Sequence, residues 1–201
     1  MTHVPLPLLP QAADDGERCD AARNRRRLLD AAVQLVDELG ADAVTMDEVA
    51  TRAGVGKGTI FRRFGNRAGL MRALLDHTEK DMQNAFLSGP PPLGPGAPPV
   101  ERLVAYGRAR LGLISVQGEL LRSAENSAES RFAAPAFAVG FTHVSTLLRQ
   151  IPVDGDVPLL AYALLAPLEA TLVLHQQRDL GMSTERLADG WEDLARRIAA
   201  H

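Results

Sequence analysis

The chain has a single cysteine, Cys19, among 201 residues. An intrachain disulfide is therefore impossible, and zinc sites built from several cysteines are excluded. Aromatic residues make up only 4%. β-branched runs are short, and no segment of any length alternates apolar with polar residues, so the signal of a half-buried sheet is missing. Uninterrupted apolar stretches are missing too. The longest, residues 157–174, is broken by Pro158, Pro167 and Glu169, and no basic flank anchors it, which argues against a membrane span. The first seventeen residues carry three prolines and no basic n-region, unlike a secretory signal, so a cytoplasmic protein is expected. Enzyme signatures are equally scarce: there is no nucleophile elbow, no clustered carboxylates and no phosphate-binding glycine loop after a strand. Gly54, Gly56 and Gly58 alternate, but no strand precedes them and the spacing does not fit a nucleotide site.

What is present is Ala- and Leu-rich, 46% hydrophobic and 23% charged, a composition that favours a soluble all-α fold. The net charge of -3 hides an asymmetry. Residues 18–67 hold 10 Arg/Lys against 7 Asp/Glu, and the remainder holds 12 against 18. A basic front and an acidic back suit a nucleic-acid-binding head joined to a body with another task.

Residues 1–18 mix Pro, Asp and Gly without periodicity, and a disordered arm is expected there. Residues 21–39 turn helical, with Leu28, Ala32, Leu35, Val36 and Leu39 on one face and Gly40 at the end. Arg23, Arg25, Arg26 and Arg27 stand near its start, against the macrodipole gradient, which hints at an anionic partner. Thr45 and Glu48 then form a Thr-x-x-Glu capping box that opens a short helix over 46–52. Residues 53–56 make a glycine turn, and a third helix over 57–64 buries Ile60 and Phe64 at i, i+4. The arrangement predicts a helix-turn-helix, which lays its second helix in the DNA major groove. Lys57, Thr59 and Arg62 are candidates for groove contact. Thr45, Phe61, Arg63 and Arg67 are candidates for positioning on phosphate, with Arg27, Gly56 and Gly58 completing the expected DNA-binding set. Gly58 inside a short helix costs about 1 kcal/mol relative to Ala, so close approach of its backbone to phosphate is a reason for it to be there. Phe61 is read either as an exposed aromatic packing on DNA or as a second core aromatic.

A fourth helix is predicted over 67–87, followed by GPPPLGPGAPP at 89–99, which no helix survives. Beyond that loop, helices are expected over 100–114, 118–128, 135–151 and 156–180, the last kinked at Pro167. A final amphipathic helix from Ser183 carries Leu187, Trp191, Leu194 and Ile198. About nine helices result, divided into an arm (1–18), a DNA-binding unit (19–70) and a helical regulatory unit (71–201).

The residues of this front segment resemble the TetR/AcrR-type transcriptional regulators. The match lies in Leu28 to Ala32, in Thr45, Glu48, Val49 and Ala50, in Ala53-Gly54-Val55, and in the run from Lys57 to Phe64. The pattern departs at Gly56, where the family commonly has Ser, at Phe61 for Tyr, at Arg63 for His or Tyr, and at Asn66-Arg67-Ala68 for Ser-Lys-Glu. The resemblance implies a repressor that binds a palindromic operator as a homodimer and is released by a small molecule entering the body. The implied dimer surface is the last two helices, with Leu172, Leu187, Trp191, Leu194 and Ile198. Tyr106, Phe137, Phe141, His143, Tyr162 and His175 are the candidate lining of a ligand cavity. His143 and His175 lack an i, i+4 partner, so no metal site and no cofactor is expected. The alternative is a DNA-binding protein whose body only dimerises.

Overall fold

The computed structural model describes residues 13–124 and 135–200. Among the described residues there are nine α-helices and one 3-10 turn, and no strand. In chain order they are α1 (Ala13–Leu39), α2 (Met46–Ala53), α3 (Lys57–Phe64), α4 (Arg67–Ser88), α5 (Pro99–Ala124), α6 (Pro135–Leu148), α7 (Val157–Leu165), the 3-10 turn Ala166–Leu168, α8 (Ala170–Arg178) and α9 (Thr184–Ala199).

Three of these differ from the sequence reading, each for a local reason. The first helix begins at Ala13, so the end of the expected N-terminal arm is helical; residues 1–12 lie outside the described residues. The two helices expected over 100–114 and 118–128 are one, running unbroken through Gly118 to Ala124. Gly118 is buried, and a Cβ there would come 2.8 Å from Leu174 Cδ2 of α8. It is a close-packing glycine, not the start of a new helix. The apolar segment 156–180 is three pieces. Pro167 cannot donate an amide to the preceding turn, so α7 passes through the 3-10 turn and α8 departs at 41°.

Apolar burial falls into two clusters. The first joins α1, α2, α3 and the start of α4, around Leu28, Ile60, Leu70 and Leu74. The second begins at Phe86 near the end of α4 and collects Leu103, Ile114, Leu148, Leu164 and Trp191. Two helices serve both. On α4, Leu74 belongs to the first cluster and the neighbouring Leu75 packs on the second. On α5, Leu120 packs against the first cluster and Leu121 lies within the second. No single helix among the described residues is long and apolar enough to cross a membrane. The bent pair Val157–Leu168 and Ala170–Arg178 passes by length and composition together, but it buries Leu164, Leu168 and Val173 in the second cluster.

One buried polar side chain makes the fold sensitive to acid. His143 is 7% exposed and stacks on Phe86 at 4.3 Å between ring centroids, with Tyr106 at 5.5 Å. Its Nε2 has no hydrogen-bond partner among the described residues. Burial, helped by the Arg102 charge, pushes its pKa down to about 4. The unfolded chain takes up this proton near its ordinary value, about 6.5. The stabilisation from keeping the ring neutral is therefore complete above that value and is lost as pH falls from about 6.5 towards 4. Urea unfolding at a series of pH values should show this decline, and His143→Leu should flatten it in that window.

Candidate nucleic-acid interface

The interface is built from the cap upward. Thr45, in extended conformation, accepts the Glu48 amide on its hydroxyl at 3.2 Å. Its own amide and hydroxyl both donate to Glu48 Oε2, at 2.9 and 2.8 Å. Those bonds hold the Glu48 carboxyl below its usual range and commit both donors of Thr45 to the cap. Gly54 closes α2 at φ 68°, a left-handed conformation that a side chain would strain, and its amide donates to Ala50 and Thr51. Val55 is half-buried against the first cluster.

The recognition helix α3 fixes itself through Ile60, fully buried, and Phe64. The opposite face is open. Phe61 is 47% exposed, so the second-core-aromatic reading is set aside. Lys57, Gly58 and Arg62 are exposed beside it, and Thr59 is half-buried. Gly56, which precedes the helix without a side-chain cap, and Gly58 have nothing among the described residues within 4 Å of where a Cβ would stand. No internal contact demands glycine at either position. Both leave bare backbone at the N-terminus of α3, where amides and the helix dipole favour an anion. Lys57 pairs with Asp47 of α2 at 2.5 Å. Arg62 has no hydrogen bond or ion pair among the described residues, and Arg27 on α1 is likewise exposed.

Two guanidiniums expected on phosphate are used internally. Arg63 donates from Nη1 to the carbonyl of Ala21 at 2.6 Å. Arg67 donates from Nε to Val44 O at 3.0 Å and from Nη2 to Ala41 O. The α1–α2 loop leaves these carbonyls without helical partners, and α4 begins directly beneath them, so Arg67 fastens the loop that carries Thr45. Arg25 of α1 also turns inward, stacking 5.3 Å from the centroid of Phe64. The sequence signal for these roles was absent, because a carbonyl acceptor leaves no mark on residue type. The other feature missed is Gly69. A Cβ there would stand 2.1 Å from the carbonyl oxygen of Phe64, so only glycine lets α4 start this close to the end of α3. Its amide donates to Asn66 Oδ1, the N-cap of α4.

The body contains a cavity of about 380 Å³ between α4, α5, α6 and the 3-10 turn. Of the six residues expected to line it, Tyr106 and Phe137 do. His143 stands behind that wall, against Phe86 and Tyr106. Phe141 and Tyr162 stack on each other at 4.7 Å outside it, with Tyr162 half exposed. His175 is at the surface, 2.6 Å from Asp179. The wall also holds a polar pair that residue spacing does not mark, Arg110 of α5 with Glu79 of α4. Burial raises the Tyr106 hydroxyl above its ordinary range. The expected dimer set also changes. Trp191 is 3% exposed within a single chain, its indole lying over Gly107 of α5, and so belongs to the chain's own core. Leu187, Leu194 and Ile198 are half-buried against that same core, and Leu172 is 41% exposed.

Residues 28–74 match the model of the bacterial regulatory proteins, tetR family. The uncharacterised HTH-type transcriptional regulator YvkB of Bacillus subtilis is 50% identical over 50 residues, which cover 25% of this chain and 26% of that protein. This match therefore spans only about a quarter of the relative's length. The HTH-type transcriptional regulator BetI of Escherichia coli O157:H7 is 27% identical over 168 residues, 83% of this chain and 78% of that one. Among solved structures, a putative transcriptional regulator from Saccharomonospora viridis in complex with choline shares the fold. Its TM-score is 0.64 at 21% identity, over 87% of this chain and 96% of that one. The front segment, residues 28–74, thus matches the tetR family of bacterial regulatory proteins, and a likeness of fold to a solved regulator runs through the body.

Proposed function

We propose that the chain is a DNA-binding transcriptional regulator, a ligand-responsive repressor that acts in the cytoplasm as a homodimer on a palindromic operator. The observation that carries this reading is the outer face of α3. Phe61, Arg62 and Lys57 stand exposed around backbone left bare by Gly56 and Gly58, while Ile60 and Phe64 hold the helix from behind. Arg62 is the foremost candidate for reading a base edge, and the amides around Gly58 for phosphate. Arg63 and Arg67 act through the fold, as positioning residues. One helix of this length makes few contacts, so two copies on two half-sites supply the specificity.

Ligand response is supported by the cavity. Its volume lies within the range of small-molecule sites, its wall is largely apolar, and a charged pair and a tyrosine offer orientation. A body serving dimerisation alone has no use for that space. The division into a DNA-binding unit over 19–70 and a regulatory unit over 71–201 is part of the same proposal. In it, α4 crosses the boundary and transmits any change at the cavity to the head.

The test is footprinting on the DNA upstream of the chain's own gene and its neighbours. A protected palindrome is expected, and Arg62→Ala should weaken its binding by about 1–3 kcal/mol, roughly 5–150-fold. The slope of affinity against salt should change by less than one phosphate's share if Arg62 reads a base. Protection that survives Arg62→Ala unchanged, or no protection at low salt, overturns the proposal.

A further inference from the structure

We propose that Asp30, His77 and Asp81 form a binding site for one divalent first-row transition-metal ion, bridging α1 and α4. His77 Nε2 lies 2.9 Å from Asp30 Oδ1 and 3.4 Å from Asp81 Oδ2, and the three donor atoms lie within 4.8 Å of one another. Donors bound at roughly 2.0–2.2 Å to a zinc-like ion stand roughly 2.9–3.5 Å apart from each other, so the two distances to the imidazole suit a shared ion. His77 and Asp81 are four residues apart on α4, one turn of the same face, and Asp30 approaches from α1.

The surroundings orient the set from outside. Arg26 sits 3.5 Å from Asp81 Oδ1 and 4.0 Å from Asp30 Oδ2, which are the outer oxygens of the two carboxylates. The inner oxygens are the ones turned to His77. A neutral imidazole has one ring proton to give, and two carboxylates with one guanidinium leave a net negative charge around it. The imidazole is 11% exposed, whereas the carboxylates are about half exposed, so the ring is held and the oxygens are reachable. All three residues line one open groove of about 580 Å³, which gives an ion its path and leaves room for water as further ligands. One nitrogen with two oxygens selects zinc, nickel or cobalt over magnesium, which prefers oxygen throughout.

The location gives the ion a consequence. His77 follows Leu74 of the first cluster by one turn, and Phe86 of the second comes further along the same helix. An ion would tie α4 to α1 at the point where α4 passes from one cluster to the other.

The test uses the full, tag-free chain without DNA, so its outcome is separate from that of the proposed function. After chelation and dialysis, Zn2+ and Co2+ should each bind at one ion per chain by equilibrium dialysis and raise the unfolding temperature, and Mg2+ should do neither. His77→Gln and Asp30→Asn, checked for folding by circular dichroism, should each weaken binding by about tenfold or more. If neither variant folds, Zn2+ must shift an imidazole Nε2 resonance in a long-range proton–nitrogen spectrum of the unsubstituted chain. No saturable binding, binding unchanged in both variants, or binding without that shift overturns the site.

Discussion

Replacing Gly107 by Ala should destabilise the chain by about 3 kcal/mol or more, through a single added methyl group. A Cβ at this position would lie 1.5 Å from Nε1 of Trp191 and 1.9 Å from Cε2. Neither atom can step aside cheaply, because the indole is rigid and 3% exposed, and α9 carries it against α5. The substitution must push Trp191 out or pry α9 from α5, and either route exposes apolar surface that the second cluster now hides. Helix propensity acts the other way, favouring Ala by about 1 kcal/mol inside α5, and is outweighed. Gly112 provides the comparison. It lies on the same helix, exposed, with nothing within 4 Å of its Cβ position. Gly112→Ala should leave stability unchanged or raise it by up to about 1 kcal/mol. Thermal unfolding decides, followed by fluorescence of Trp191, the single tryptophan. The emission of Gly107→Ala should already be shifted to the red before the transition. Equal stability of the two variants would refute the close-packing argument.

The same pair of glycines shows what was legible in the sequence. Residue type announces a cap: Thr45 with Glu48, Asn66, and Ser183 each stand where the structure finds them accepting a backbone amide. Periodicity likewise announced Ile60 with Phe64, and Pro167 announced the break in the apolar segment. Glycine announces only that a side chain is missing. At Gly54 the reason is a left-handed turn, at Gly107 and Gly118 it is a neighbour, and at Gly58 no neighbour among the described residues requires it. Composition cannot separate these cases, which is why Gly118 reads as the start of a separate helix. Arginine carries a similar ambiguity. Arg62 faces outward, whereas Arg63 and Arg67, within one turn or so of it, satisfy carbonyls of α1 and of the loop after it. Both guanidiniums are therefore engaged within the chain, which lowers the number of phosphate contacts α3 and its flank can offer. In the body, the spacing of Leu187, Trp191, Leu194 and Ile198 marks an apolar stripe on α9, and in the chain itself that stripe packs on the second cluster, with Trp191 over Gly107 of α5. A stripe records that a face is covered, and says nothing of which chain covers it.

Gly69→Ala should disable the recognition helix while leaving the body folded. The added methyl would stand 2.1 Å from the Phe64 carbonyl oxygen and 3.3 Å from its carbon, and both atoms are backbone. No rotamer change relieves that contact, so the end of α3 must lift away from the start of α4. Phe64 is one of two anchors that hold α3, and Arg25 stacks on its ring. Lifting it unseats the anchor and turns Phe61 and Arg62 out of register with α2. A cost of about 1–3 kcal/mol is expected, drawn from the first cluster alone. The second cluster begins further along α4 and has no contact with this turn, so Trp191 fluorescence should report an unchanged transition. Hydrogen exchange should instead show faster opening of α2 and α3. Gly58→Ala tests the complementary case. With open space around it, alanine should hold or slightly improve the stability of the free chain. If the bare backbone at that point approaches a phosphate, operator binding should nonetheless weaken. A variant that loses binding while keeping its fold, set beside one that loses binding because α3 has moved, separates contact with DNA from support of the helix that makes it. Gly69→Ala with unaltered exchange in α2 and α3 would show that the turn can relax without moving α3, and would remove Gly69 from the interface.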